Sequence, residues 1–128
     1  MMQRGLSVEL QLGDGVPITP QILRNGSQAW LEGPVREAAV VYINDKRAGA
    51  IWCSPYSLDV TSFLKVGANK IRVEVANTAM NYMAGHSLPD YRLLSLRYGE
   101  RFQAQDMDKI QALPSGLLGT VRLVASAK

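Results

Sequence analysis

Val40-Val41-Tyr42-Ile43-Asn44-Asp45-Lys46-Arg47-Ala48-Gly49 is the stretch on which the reading of this chain turns. Ala38 to Ile43 is apolar on both faces, as expected of a central strand covered on both sides. Asn44-Asp45-Lys46-Arg47 then reads as a tight turn, because Asn and Asp tolerate left-handed backbone. Ala48 to Cys53 is expected to return as the partner strand. Strand, tight turn and returning strand make an antiparallel hairpin, and the rest of the chain is read outward from it.

On the N-terminal side, Leu6-Ser7-Val8-Glu9-Leu10-Gln11-Leu12 alternates strictly, with Leu6, Val8, Leu10 and Leu12 on one face. Period two is the pattern of a half-buried strand. Gly13-Asp14-Gly15 stops it. Residues 16 to 28 hold two prolines and Asn25-Gly26, a hairpin-turn signal, and Ala29-Trp30-Leu31 reads as a short strand ended by Gly33-Pro34. On the C-terminal side, Pro55 to Val60 is extended. Thr61 to Leu64 reads as one helical turn with Asp59 or Thr61 capping its free N–H groups, and Gly67 breaks it. Lys70 to Val75 alternates again, with Ile71, Val73 and Val75 inward. Residues 77 to 118 lose the alternation. Within them Tyr91 to Tyr98 reads as a short helix, with Asp90 at its start and Gly99 just past its end. Gly119 to Val124 is the last strand, followed by a polar tail. Short strands with one helical insertion, at residues 88 to 100, predict an all-β antiparallel sandwich.

Composition limits the function. The chain has 128 residues and 14.0 kDa, the size of one domain. Apolar residues make up 47% and charged ones 20%, ordinary globular usage. A net charge of +3 is too small an excess to point to nucleic acid. No apolar run approaches the roughly 18 residues of a membrane span. Met1 to Gly13 lacks the apolar core of a secretory signal. Cys53 is the single cysteine, so no internal disulfide forms. His86 is the single histidine, in a Gly-His-Ser loop. Ser54 and Ser87 lack the Gly-x-Ser-x-Gly setting of a serine hydrolase. Asp106 and Asp108 are the whole case for a structural calcium, and a calcium loop needs a longer acidic pattern. No cofactor is expected.

Beyond the hairpin, the order of motifs is specific. Ile51-Trp52-Cys53-Ser54-Pro55-Tyr56-Ser57-Leu58-Asp59-Val60-Thr61 is followed by Leu64-Lys65-Val66-Gly67-Ala68-Asn69-Lys70-Ile71 and by Val73-Glu74-Val75-Ala76-Asn77. Asn81, Gly85, Leu88-Pro89-Asp90-Tyr91 and Leu113-Pro114-Ser115-Gly116-Leu117-Leu118-Gly119 complete the series. This arrangement resembles the galactose-binding-like jelly roll of the family 2 sugar-binding type. Within that group it is most similar to the C-terminal β-sandwich of bacterial α-L-rhamnosidase-type glycoside hydrolases. The match runs from about Gly33 to Val124, with 1–32 a divergent front part and 125–128 a tail of one module. Two departures stand out. The usual Asn-Gly turn is Asn44-Asp45 here, and residues 1 to 32 are short for the front half of the jelly roll.

The resemblance implies a non-catalytic accessory module whose parent enzyme carries its catalytic carboxylates on a separate barrel. It also implies partners: carbohydrate, including rhamnose- or galactose-containing polysaccharide, and the catalytic domain of the parent. Parent enzymes of this type are usually periplasmic or extracellular. Two further readings compete with sugar binding. One is a purely structural module that packs on a catalytic domain, and the other, ranked last, is a small stand-alone glycosidase. Neither nucleic acid nor membrane is expected as a partner.

The candidate sugar-contacting residues are Trp52, Tyr56, Asn77, Asn81 and His86. Aromatic faces stack on the C–H faces of sugar rings, although Trp52 reads first as a core plug and Tyr56 equally as either. Asn77 and Asn81 stand at the mouth of the long insertion with amides suited to hydroxyls. Asn44 and Asn69 read as turn and loop braces instead. Arg92, Arg97 and Arg101 alternate with Asp90 and Glu100, as in salt bridging to a neighbouring surface. Because the front half is short, an uncovered apolar strip and an unpaired edge are expected, to be filled by an edge-paired or swapped homodimer through Leu6 to Leu12 or, alternatively, by a catalytic domain.

Overall fold

The structure is a computed structural model that describes residues 5–17, 31–87, 90–99 and 110–127. Its elements in chain order are β1 (Leu6–Gln11), β2 (Val16–Pro17), β3 (Leu31–Glu32), β4 (Ala39–Ile43), β5 (Lys46–Ile51) and β6 (Ser57–Asp59). A single 3-10 turn (Thr61–Phe63), β7 (Ile71–Val75), α1 (Ala79–Ala84), α2 (Tyr91–Tyr98) and β8 (Arg122–Ala127) follow. They fall into two compact units, Met1–Ala76 with Ser115–Lys128, and Asn77–Pro114.

The first unit is an all-β sandwich. One antiparallel sheet runs β6-β1-β8 and the other β5-β4-β7, with β2 and β3 forming a separate pair. The alternation of β1 and β4 sends every second side chain inward. Val8, Leu10 and Leu12 from the first sheet meet Ala39, Val41 and Ile43 from the second, with Val35, Ile51 and Val60 completing the core. Each large aliphatic side chain so buried contributes about 1.5–3 kcal/mol. The sheets approach most closely where β5 passes β6. A Cβ on Gly49 would stand 2.8 Å from Leu58 Cδ1, so a side chain there would have to displace the leucine.

The β4–β5 turn is two residues long, with Asn44 at φ 50° and Asp45 at φ 64°. Successive left-handed residues match the right-handed twist of the strands, which is why Asp45 replaces the usual glycine without changing the turn. Asn44 also braces the corner. Its Nδ2 donates to Phe63 O at 3.2 Å and to Asn69 Oδ1 at 2.9 Å, and its Oδ1 accepts from Lys70 N at 3.1 Å. Asn69 in turn accepts from Lys65 N and donates to Lys65 O and Gly67 O. Both asparagines are structural, as expected.

The cap position of the 3-10 turn is Val60, which offers no side-chain bond, and Asp59 one residue earlier braces the entry instead, its Oδ1 accepting from Thr61 N at 2.9 Å and Thr61 Oγ1 at 2.5 Å. Thr61 Oγ1 then accepts from Val8 N at 2.8 Å and so fastens β1. In the second unit α2 spans Tyr91–Tyr98 as expected. Asp90 accepts from Arg92 N at 3.0 Å at its start, and Gly99 (φ 80°) ends it.

Four expectations need correction. β5 occupies Lys46–Ile51 rather than Ala48 to Cys53, because the turn takes two residues and not four. Trp52 and Cys53 therefore fall outside it. β8 occupies Arg122–Ala127 rather than 119 to 124, because its register with β1 extends to Leu6↔Ala127, and the expected polar tail is largely strand. Ile71 is on the inward face of β7 but is 37% exposed. α1 was not expected at all. The hairpin signal at Asn25-Gly26, most of the strand at Ala29 to Leu31, and Asp106 and Asp108 lie outside the described residues.

Candidate functional site

After β5 the chain turns through Trp52-Cys53-Ser54-Pro55-Tyr56, with a cis Ser54–Pro55 bond and Tyr56 at φ 55°. Tyr56 N donates to Cys53 O at 3.0 Å and closes the turn, while Leu12 N donates to Tyr56 O at 3.0 Å and ties it to the end of β1. The Tyr56 ring packs partly on the core. Its hydroxyl lies over Gly33, where a Cβ would stand 2.6 Å from Tyr56 Oη. Only glycine lets the ring lie there.

Trp52 is 69% exposed. The core-plug reading is overturned, and the reason is the early end of β5: two residues further back, the tryptophan leaves the pleat and enters the turn. A hollow of about 250 Å³ lies beside the turn, lined by Gly13, Asp14, Gly15, Ser54, Pro55 and Tyr56. Ligand pockets that enclose a drug-sized molecule start near ~300 Å³, so this hollow suits one small polar ring in part, held at the surface. Asp14, Ser54 and Pro55 were not picked out from the sequence. Gly13-Asp14-Gly15 was read only as a strand stop, and its proximity to Pro55 depends on β1 ending beside Tyr56.

The remaining candidates stand in the second unit. Asn77 Oδ1 accepts from Thr78 N at 2.8 Å and from Asn81 Nδ2 at 2.7 Å. Asn81 also clamps the distant Leu113 backbone, donating to its O at 2.8 Å and accepting from its N at 2.6 Å. These contacts brace the insertion. Thr78 Oγ1 accepts from Asn81 N at 3.1 Å as the α1 cap and is buried. His86 is exposed, its ring stacked on Tyr82 with centroids 3.8 Å apart and its Nδ1 2.6 Å from Tyr82 O. The structure therefore groups Asn77 with Asn81, leaves His86 on the Tyr82 face of α1, and puts Tyr56 in the first-unit hollow with Trp52 in the same turn but not among the residues that line it.

Four of the described carboxylates are engaged in surface pairs. Glu32 pairs with Arg36, Asp45 with Lys70 at 3.1 Å, Glu74 with Arg72 and Asp90 with Arg92 at 3.5 Å. Among the described residues no three of His, Cys, Asp or Glu gather as metal ligands would, and no helix is long and apolar enough to cross a membrane.

No family model matches the chain. It is 33% identical, over 83% of its length, to a protein of Formosa agariphila that is provisionally named a beta-glucuronidase. Among solved structures it resembles a rhamnosidase from Novosphingobium sp. PP1Y, with a TM-score of 0.60, 26% identity and 97% of this chain covered. The chain spans 11% of the first protein and 10% of the second. It is thus related to a small segment of much larger glycoside hydrolases.

Proposed function

We propose that the chain is a non-catalytic, carbohydrate-associated β-sandwich module of the galactose-binding-like jelly-roll type, serving a glycoside hydrolase. Glycan contact falls to Trp52 and to the Tyr56 hollow. The observation that carries this is the indole, 69% exposed on a turn braced from both sides, in a chain related to a glycosidase segment. An exposed indole presents a flat apolar face suited to stacking on a sugar ring. Asp14 and Ser54 at the hollow supply hydroxyl partners. Hydrolysis, which uses two opposed carboxyls across a cleft, is assigned in this reading to another part of the enzyme, the chain being related to only a small segment of each glycosidase. Asn77, Asn81 and His86 are secondary contacts in this reading.

Titration of the purified chain with rhamnose- and galactose-containing oligosaccharides tests it. Free monosaccharides should bind with Kd near or above ~1 mM, about −4 kcal/mol, because hydroxyl bonds replace equally good ones to water. Trp52→Ala should remove oligosaccharide binding while leaving the melting temperature unchanged. Turnover of aryl rhamnosides by the chain alone, or binding that survives Trp52→Ala, would overturn the proposal.

A further inference from the structure

Three segments of the sandwich converge where β1 ends. The strand is paired on both sides, by β6 and by β8, so Leu6 to Leu12 has no free edge for a second copy and the Gly13–Asp14 segment leaves from a fixed point. On one flank Leu12 N donates to Tyr56 O, which brings the Pro55 turn alongside. On the other flank the chain that leads into β8 presses on the glycine. A Cβ on Gly13 would stand 2.9 Å from Thr120 N, and one on Gly119 would stand 2.5 Å from Leu12 O. Backbone meets backbone there, and Leu118 N is tied to Pro34 O at 2.8 Å.

Each flank carries a hollow. Beside the Pro55 turn lies the Tyr56 hollow of about 250 Å³, and a second of about 240 Å³ has a lining that includes Leu118, Gly119, Thr120 and Arg122. Gly13 and Asp14 line both. Each alone is under the ~300 Å³ at which enclosing ligand pockets begin, and side by side they exceed it. Charge is sparse in them. Among the described lining residues Asp14 is the sole carboxylate and Arg122 the sole cation. Both line the second hollow, yet no ion pair joins them, and neither side chain has a hydrogen-bond partner among the described residues. Glu32, Asp45, Glu74 and Asp90 are by contrast each matched to a cation.

We propose that the two hollows are consecutive subsites of one groove that takes a neutral saccharide of two rings, with Asp14 between the rings and Arg122 at the far one. The inference rests on Trp52 and Tyr56 being the glycan surface, and it adds the length and the charge of the ligand. A hydroxyl both donates and accepts hydrogen bonds. Ionised Asp14 only accepts and Arg122 only donates, so neighbouring hydroxyls of one ring satisfy both with no charge on the ligand. The two charges sum to zero, which leaves the groove no net attraction for a uronate or a sulfate. An acidic ring in the Tyr56 hollow would meet the Asp14 carboxylate with no cation among the described residues that line it.

Amide NMR titration of the intact chain with a neutral rhamnose- or galactose-containing monosaccharide, disaccharide and trisaccharide tests this. The disaccharide should bind about tenfold tighter than the monosaccharide, ~1.4 kcal/mol, and the third ring should add less than about twofold. The Ser54 and Tyr56 amides should shift with all three sugars, and those of Gly119 and Thr120 only once a second ring is present. Arg122→Gln should reduce the disaccharide to the affinity of the monosaccharide, leave the monosaccharide unchanged and keep the melting temperature. Replacing one ring of the disaccharide by a uronate should bring no gain in affinity. Four results overturn the inference while sparing the role of Trp52: saccharides that bind through Trp52 with equal affinity at one ring and two, Gly119 and Thr120 amides that do not move, disaccharide binding that survives Arg122→Gln, or a uronate disaccharide that binds tighter and loosens as salt rises. If no saccharide moves any amide, the inference falls together with the glycan reading.

Discussion

The two units of this chain are held by different forces. In the sandwich, Val8, Leu10, Leu12, Val35, Ala39, Val41, Ile43, Ile51 and Val60 are buried at 7% exposure or less, and polar groups such as Asn44 and Thr61 fasten its corners. In Asn77–Pro114 neither helix buries a residue, and Leu93, Leu96, Tyr82 and Tyr98 are each more than half exposed. Its framework is a set of amide and hydroxyl bonds linking Asn77, Thr78, Asn81 and Leu113. The same residue type therefore has different weight in each. Asn44 and Asn69 refine a corner of a packed core, whereas Asn81 ties the start of α1 to the Leu113 backbone where the described helices bury no residue. Net hydrogen bonds contribute only about 0.5–1.5 kcal/mol each, so the second unit should open locally long before the first unfolds.

Breaking the sandwich should have the largest effect. Leu10→Ala leaves a cavity beside Val41 and Ile43 and should cost about 3–5 kcal/mol in urea unfolding. Next comes its corner. Asn44→Val combines a β-branched residue at positive φ with the loss of three hydrogen bonds, and should cost about 2–3 kcal/mol. A mutant that keeps its midpoint would show that the corner does not constrain the sheet. Asn81→Ala should cost about 1–2 kcal/mol of local stability. Amide exchange should accelerate within residues 77–87 while β1 and β4 keep their protection; equal acceleration everywhere would erase the distinction between the units.

The smallest effect is at the α2 cap. Desolvation pushes the Asp90 carboxyl up, but bonds from the Arg92 and Leu93 backbone and the Arg92 guanidinium outweigh it and hold its pKa below the ordinary 3.8. Because the folded value is the lower one, the cap contribution is complete above 3.8 and drains away as pH falls through the folded value. The Arg92 amide resonance should therefore titrate below pH 3.8. A midpoint at or above that value would remove the cap.

The packed region was the more legible one in the sequence, because burial imposes a period. Leu6 to Leu12 and Ala38 to Ile43 showed their faces directly, and the hairpin between Ile43 and Lys46 followed from two turn-forming residues. α2 was legible through Asp90 and Gly99 and not through any apolar stripe. α1 was missed because Ala79-Met80-Asn81-Tyr82-Met83-Ala84 has no consistent inward face, and its cap, Thr78, is hidden behind Asn77. Trp52 was misplaced by a two-residue error in where β5 ends. In a pleated strand the environment of a side chain depends on its register, and composition cannot supply that. The hollow around Asp14, Pro55 and Tyr56 was not legible, since it joins segments about 40 residues apart whose approach depends on tertiary pairing.

The pairing of β1 with β8 also sets an order of events. Leu6 is matched to Ala127 and Gln11 to Arg122, so the central strand of one sheet finds this neighbour almost a full chain length away. Loop closure over such a span must precede the contacts that reward it, which places folding in the slow, roughly millisecond-to-second class of β-sandwiches. On the ribosome the β4–β5–β7 sheet can form from residues 39 to 75, while β1 waits with one side bare until residue 127 has emerged. β8 is thus the strand that completes the pairing of β1, and until it emerges the nascent chain exposes an apolar strand that chaperones would be expected to hold.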